Sequence, residues 1–300
     1  MPNKNPYIIP PGGKALVTAH RGGALLNPEN TLMAFEYCVK NHDKFKVDFF
    51  ELDLHLTADN RLVLIHDDIL DRVTNSVEVF GEENILVRNK TYDELRRLNF
   101  GANFCKDGKY PYRNLETVPE NLKAIAFDDL LDYIEGEAPG RYKYIIDVKH
   151  GKNDGRLGVD MLVKILKERG LLERVIFGTL RNEITAYVTE KYPKLPRSAG
   201  INETIAFFFR SLLDLPLKKV KYIALQVPPS QYKVFVMGTK RFINYCHKHN
   251  LSAQYWTIND EAMMEKLLSF GADMLMTDLP DVVYEKSHGV SADKVPLSLG

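Results

Sequence analysis

Neither sign of charge is in excess in this 300-residue sequence: Lys+Arg and Asp+Glu both number 40, for a formal net charge of +0. Nucleic acid and anionic membrane surfaces select for a basic stripe or surplus, so neither is expected as a partner. Cysteine is scarce as well. Cys38, Cys105 and Cys246 are odd in number and show no CxxC spacing, which excludes a disulfide framework and fits free thiols in a reducing, cytoplasmic compartment. The opening stretch, MPNKNPYIIPPGGK, has no apolar core of a secretion signal, although a signal trimmed from the sequence leaves no trace. Long hydrophobic runs are missing too. The most apolar stretch, Ile205 to Phe209, ends at Arg210 and is far too short for a transmembrane segment. There are no coiled-coil heptads, low-complexity tracts or short solenoid repeats.

What is there is the balance of a soluble globular protein, 45% hydrophobic and 27% charged. From residue 140 onward, β-rich runs alternate with helical spacing. The runs are Tyr144–Lys149, Val175–Leu180, Pro196–Ile201, Tyr222–Val227, Ser252–Ile258 and Asp273–Thr277. Between them lie segments such as VDMLVKILKERG and EAMMEKLLSFG, each ending on a glycine suited to a helix C-terminus. Two earlier strands, Ala15–His20 and Phe49–Thr57, flank the helix-like TLMAFEYCVKN. Alternating βα units predict the α/β class with a parallel sheet, and eight strands predict a (β/α)8 TIM barrel. The run Leu62–His66 follows Phe49–Thr57 after only four residues, too few for a parallel crossover, so it reads as the return arm of an antiparallel hairpin. Residues 69–125 break the rhythm, with one helical patch, TYDELRRLNFG. The expected organisation is one discontinuous barrel domain, residues 1–68 and 126–300, with residues 69–125 a small insertion after the second strand that caps the mouth.

Candidate chemistry collects at the predicted C-terminal strand ends, where barrel active sites are built. Glu51 and Asp53, two apart on one strand, point to the same side. Neighbouring carboxylates resist joint ionisation unless a cation neutralises them. Asp147 and Lys149 repeat the spacing on another strand. A structural ion pair would account for them, but with Glu51 and Asp53 across the mouth Asp147 makes a third oxygen donor. That set suits Mg²⁺ or Ca²⁺ better than zinc. Lys149 then serves as a point charge for an anionic group. His20 and Arg21 end the first strand before Gly22-Gly23, and Arg suits bidentate contact with phosphate or carboxylate. His66 ends the hairpin arm. Two histidines at rim positions beside acidic residues suggest an acid/base pair. His55 reads as structural, and Cys246, His247 and His249 do not share a helix face. Trp256 is either core or a wall of the mouth.

In order, these residues resemble the glycerophosphodiester phosphodiesterase family. The resemblance is carried by His20-Arg21-Gly22, Pro28-Glu29-Asn30-Thr31, Glu51-Leu52-Asp53, Leu56-Thr57, His66-Asp67 and Leu70-Asp71-Arg72-Val73-Thr74-Asn75. It continues at Asp147-Val148-Lys149, Trp256-Thr257-Ile258-Asn259 and Thr277-Asp278-Leu279-Pro280. It implies a barrel with an insertion after the second strand and a small-molecule glycerophosphodiester substrate cleaved to glycerol 3-phosphate and an alcohol. It implies His20 and His66 as acid/base catalysts, Arg21 and Lys149 as phosphate ligands, and Glu51, Asp53 and Asp147 as ligands of a divalent metal. Trp256 and Glu29 are expected in the substrate pocket, although Glu29-Asn30-Thr31 also reads as a helix start. The sequence departs from the family at Asp147, where Glu is more usual; related sphingomyelinase-D-like enzymes carry Asp-x-Lys there. Two rivals remain at this level. One is a phospholipase-D-like or lysolipid-cleaving phosphodiesterase, which requires an apolar groove beside Trp256. The other is a non-catalytic barrel that binds phosphate ligands.

Overall fold

Among the described residues ten strands are formed: β1 (Leu16–Ala19), β2 (Phe49–Leu56), β3 (Leu62–Leu64), β4 (Lys143–Val148), β5 (Val175–Gly178), β6 (Ala224–Val227), β7 (Ser230–Gln231), β8 (Phe235–Val236), β9 (Ser252–Tyr255) and β10 (Met274–Thr277). The helices are α1 (Leu32–Lys40), α2 (Ser76–Phe80), α3 (Tyr92–Leu95), α4 (Phe127–Glu137), α5 (Lys152–Glu168), α6 (Asn182–Lys191), α7 (Ile201–Leu212), α8 (Lys240–Lys248), α9 (Glu261–Phe270) and α10 (Pro280–His288). This computed structural model describes residues 5–289; the outermost ends of the expected barrel domain, residues 1–4 and 290–300, lie outside the described residues.

Seven strands pair in parallel in the order β5-β4-β2-β1-β10-β9-β6. The eighth stave, expected at Pro196–Ile201, is shorter than its sequence suggests. It survives as single parallel bridges, Phe177 to Arg197 and Ser198 to Ala224. The Ser198 N–H donates to the Phe177 carbonyl and the Ala199 N–H to that of Ala224, both at 2.9 Å, so these residues join β5 to β6 and nearly close the barrel. Pro196 has no N–H to give a ladder, and Gly200 already caps α7, leaving no room for a longer strand.

Strand β2, FFELDLHL, is buried along its whole length because both faces of an enclosed parallel sheet are covered. Phe50, Leu52, Leu54 and Leu56 face outward into an apolar layer shared with α1, α4, α5 and α6. Helices α7 to α10 cover the other half of the barrel with a second apolar layer. The alternate residues of β2 face the lumen. Phe49 meets Tyr7, Ile145, Ile176, Met274 and Met276 in an apolar plug, with the Tyr7 and Phe49 ring centroids 5.6 Å apart. Glu51 and Asp53 stand above that plug, nearer the C-terminal rim. Leu54→Ala is expected to cost about 2–5 kcal/mol, the range for truncating a fully buried leucine, measured as a lower urea midpoint of unfolding.

β3 pairs antiparallel with the C-terminal half of β2, Leu54 facing Leu64 and Leu56 facing Leu62. The chain beyond it builds a small core of its own, in which Leu70, Val87, Leu95 and Leu98 pack against Val63 and Ile65 of the hairpin arm. The helical patch read in TYDELRRLNFG shrinks to α3. A capping box of Thr91 and Glu94 starts it, and Asn99 turns the chain by accepting from the Gly101 N–H at 2.8 Å. This segment stands at the same end of the barrel as His66.

Candidate active site

The turn after β1 sets the first functional group. Arg21 takes a left-handed conformation, φ 51 and ψ 33, unusual for a residue with a side chain. Gly22 follows at φ +83, and a Cβ there would lie 2.8 Å from that of Ala34, so only glycine fits. This strained turn aims the Arg21 N–H at Glu51 Oε2, 3.1 Å away.

The register of the sheet brings the acidic residues together. Asp53 of β2 lies directly beside Asp147 of β4, and Lys149 follows on the same edge. The Lys149 ammonium stands between the two carboxylates, 2.8 Å from each. Asp53 also accepts from Asn30 Nδ2 at 3.0 Å and lies 3.2 Å from Arg21 Nε. Burial alone would raise its pKa, but Lys149 and Arg21 outweigh burial and hold it down at about 2. Glu51 goes the other way: burial and the neighbouring Asp53 push it up to about 7. Asp147 is raised chiefly by burial. Burial opposes the Lys149 charge, yet Asp53 and Asp147 keep its pKa well above the ordinary lysine value.

Each histidine is held by a carboxylate at Nδ1. His20 Nδ1 lies 2.6 Å from Asp278 Oδ1, and Asn259 Nδ2 donates to the other Asp278 oxygen at 2.6 Å. His20 Nε2 is left 3.8 Å from Glu51. Burial disfavours the charged ring, but Glu51 and Asp278 together raise the His20 pKa above its usual value. His66 Nδ1 lies 2.6 Å from Asp67 Oδ1. Arg72, from the inserted segment, grips Asp67 and makes paired bonds to Glu29 at 2.7 and 2.8 Å. Glu29 in turn accepts from Arg21 at 2.9 Å. One chain of charge-assisted bonds therefore runs from Arg21 through Glu29, Arg72 and Asp67 to His66.

A cavity of about 160 Å³ brings together His20, Arg21, Glu51, Asp53, His66, Asp147, Lys149 and Trp256. Glu29 is the exception among the expected site residues. It does not line this cavity; its carboxylate is drawn behind Arg21 by the two arginines, while Thr31 caps α1. Nor does any residue of 69–125 line it, and the inserted segment reaches the site through Arg72. His55 is buried beneath the rim, its Nε2 3.2 Å from the His66 carbonyl, which is a structural position. Asp67, Asp278, Asn259 and Arg72 sat inside the matched motifs without assigned roles. The only local signal was the acidic residue next to His66.

Among the described residues, no three His, Cys, Asp or Glu side chains stand close enough together, as they lie, to hold a metal ion. The chemistry of the donor set nonetheless fits a hard cation. Glu51, Asp53 and Asp147 offer oxygen only, and burial with Asp53 outweighs His20, Lys149 and Arg21 at Glu51, so that an added cation would favour its ionised form.

The sequence pattern of the Glycerophosphoryl diester phosphodiesterase family matches residues 20–282. The glycerophosphodiester phosphodiesterase of Bacillus subtilis is 28% identical over 286 residues, covering 92% of this chain and 87% of that protein. That of Caldanaerobacter subterraneus is 28% identical over 271 residues, covering 90% and 96%. The fold is shared with a solved Oleispira antarctica phosphodiesterase in complex with the product sn-glycerol-3-phosphate, at a TM-score of 0.67 and 18% identity, over 91% of this chain and 96% of that one. A glycerophosphoryl diester phosphodiesterase domain from Mycobacterium tuberculosis superposes at 0.72 with 17% identity, over 91% and 98%.

Proposed function

This chain belongs to the glycerophosphoryl diester phosphodiesterase family, whose members are phosphoric diester hydrolases, and we propose that it hydrolyses glycerophosphodiesters to glycerol 3-phosphate and an alcohol. The observation that carries this reading is the pair of histidines, each held at Nδ1 by a carboxylate and each lining a cavity that also holds Arg21 and Lys149. A barrel that merely bound phosphate would have no use for two rings oriented in this way. With Nδ1 engaged, Nε2 is the nitrogen free to exchange a proton with substrate. Arg21 and Lys149 spread charge from the phosphoryl oxygens. One histidine takes the proton of the attacking hydroxyl, of water or of the substrate's own glycerol, and the other protonates the leaving alcohol. We assign the acid role to His20, since Glu51 and Asp278 favour its protonated form. Glu51, Asp53 and Asp147 would hold Mg²⁺ or Ca²⁺, which when bound supplies positive charge against the phosphoryl group.

Incubation of the purified protein with glycerophosphodiesters of several head groups, followed by ³¹P NMR, tests the activity. Conversion of diester to glycerol 3-phosphate is expected, and persistence of every diester in the presence of Mg²⁺ and Ca²⁺ would refute it. The acid assignment has a pH consequence. An acid works only while protonated, so activity falls as pH rises through the His20 pKa. Asp278→Asn removes a charge that raises this pKa. The basic limb of kcat/KM should therefore move to lower pH, and a limb that stays in place assigns the acid role elsewhere.

A further inference from the structure

On the wall facing the carboxylates the lumen carries amides instead of charge. Leu225 and Val227 of β6 and Ala253 and Tyr255 of β9 belong to the outer apolar layer, so Gln226, Ser252 and Gln254 point into the barrel. Strand order sets Gln226 opposite Glu51 and Asp53. On one side β1, β10 and β9 separate β6 from β2; on the other stand β4, β5 and the Ser198 bridge. The roles assigned above use none of these side chains.

Their hydrogen bonds run in one direction only. The Tyr7 carbonyl can only accept, so the Ser252 hydroxyl gives its single proton to it at 2.9 Å. Ser252 Oγ must then accept from Gln254, whose Nε2 lies 3.1 Å away. That leaves Gln254 Oε1 as the acceptor for Gln226 Nε2, at 2.9 Å. An amide on its own can turn either way round, but the backbone carbonyl at the far end fixes both. The chain ends on Gln226 Oε1, which no donor meets among the described residues.

Gln226 lines the catalytic cavity together with Gly178, the neighbour of Asp147 in the sheet. A Cβ at position 178 would lie 3.1 Å from Gln226 Oε1 and 3.6 Å from Ser198 Oγ. The missing side chain therefore keeps a corner of the cavity open beside them. Ser198 aims its own proton at the Phe177 carbonyl, 3.4 Å away, and it too has lone pairs to offer. The corner thus presents two neutral acceptors. A phosphoryl oxygen, itself an acceptor, finds nothing to bond there, whereas a hydroxyl does.

We propose that Gln226, oriented by Gln254, Ser252 and Tyr7, binds a free glycerol hydroxyl of the substrate and so selects glycerol esters over other phosphodiesters. This rests on the phosphodiesterase reading above. A neutral acceptor of fixed direction suits the one substituent that all glycerophosphodiesters share.

The test is kcat/KM of the full chain, with Mg²⁺ or Ca²⁺ present, on a glycerophosphodiester and its two deoxy analogues. In these, propane-1,2-diol or propane-1,3-diol replaces glycerol. Loss of one hydroxyl should lower kcat/KM by roughly 10- to 100-fold, the effect of leaving an oriented acceptor without its donor. The analogue that suffers identifies the hydroxyl. Gln226→Leu removes the acceptor and should bring that ratio close to unity, with unchanged Tm confirming the fold. Gly178→Ala fills the corner and should do the same, so it carries the test if Gln226→Leu does not fold. Equal kcat/KM on all three diesters in the unaltered chain overturns the proposal and leaves the hydrolase reading intact. A ratio that persists at full size in the folded variant overturns it too, since the hydroxyl then acts elsewhere. If no diester is cleaved, the hydrolase reading falls separately. The same ratio is then read from calorimetric Kd values of glycerol 3-phosphate and the monophosphates of the two diols, and equal values overturn the subsite.

Discussion

Replacing either His20 or His66 with Ala is expected to cut turnover of a glycerophosphodiester by roughly 10²–10⁴-fold, the loss typical of a positioned proton-transfer group. The geometry argues for an effect on chemistry rather than on folding. Both rings line the cavity, not the apolar layers. Each is fixed by one carboxylate whose other oxygen is held in turn, Asp278 by Asn259 and Asp67 by Arg72. Removing a ring leaves that carboxylate with its second partner, so Tm should change little. KM should also hold, because Arg21 and Lys149 remain to bind phosphate. Steady-state kinetics with thermal unfolding of the same samples checks both halves. Near-normal turnover in both variants would remove the histidines from the mechanism.

The second large effect is expected from the carboxylates. Stripping divalent cations with a chelator should lower activity by roughly 10³-fold, since several kcal/mol of charge stabilisation would be lost; Mg²⁺ or Ca²⁺ should restore it. Glu51→Gln and Asp53→Asn should each abolish the restoration, and calorimetric titration of the stripped protein should show the loss of cation binding directly. The reason lies in the charges of the site. Lys149 is shared by Asp53 and Asp147, whereas Glu51, buried and facing Asp53, is pushed to about 7. Glu51→Gln without cation should be tolerated by the fold, because a neutral amide removes the buried repulsion between Glu51 and Asp53. Full activity in excess chelator after dialysis would contradict the three-carboxylate site.

Much of this arrangement was legible because strands and hairpins obey short-range rules. The period of two in FFELDLHL placed Glu51 and Asp53 on one face, and the four-residue gap before Leu62 required an antiparallel return. The eighth stave was over-read: Pro196-Arg197-Ser198-Ala199-Gly200 looks strand-like between two helical segments, but its proline and its helix-capping glycine leave only two bridging residues. The placement of Glu29 was not legible either. Its motif pointed to the mouth, but nothing local showed that Arg21 and Arg72 would turn the carboxylate away from the cavity. The partners that orient the two histidine rings were harder still. Asp278 is 258 residues from His20 in the chain, a pairing that only barrel closure creates.

The acid/base pair is the centre of this account, and a substrate with a low-pKa leaving alcohol tests it most directly. Such an alcohol departs without needing a proton, so loss of the acid matters little while loss of the base still matters. On a nitrophenyl diester, His20→Ala should regain most of the wild-type rate and His66→Ala should stay slow. Recovery by His66→Ala alone would reverse the roles; equal recovery of both variants, or of neither, would contradict acid/base catalysis by this pair.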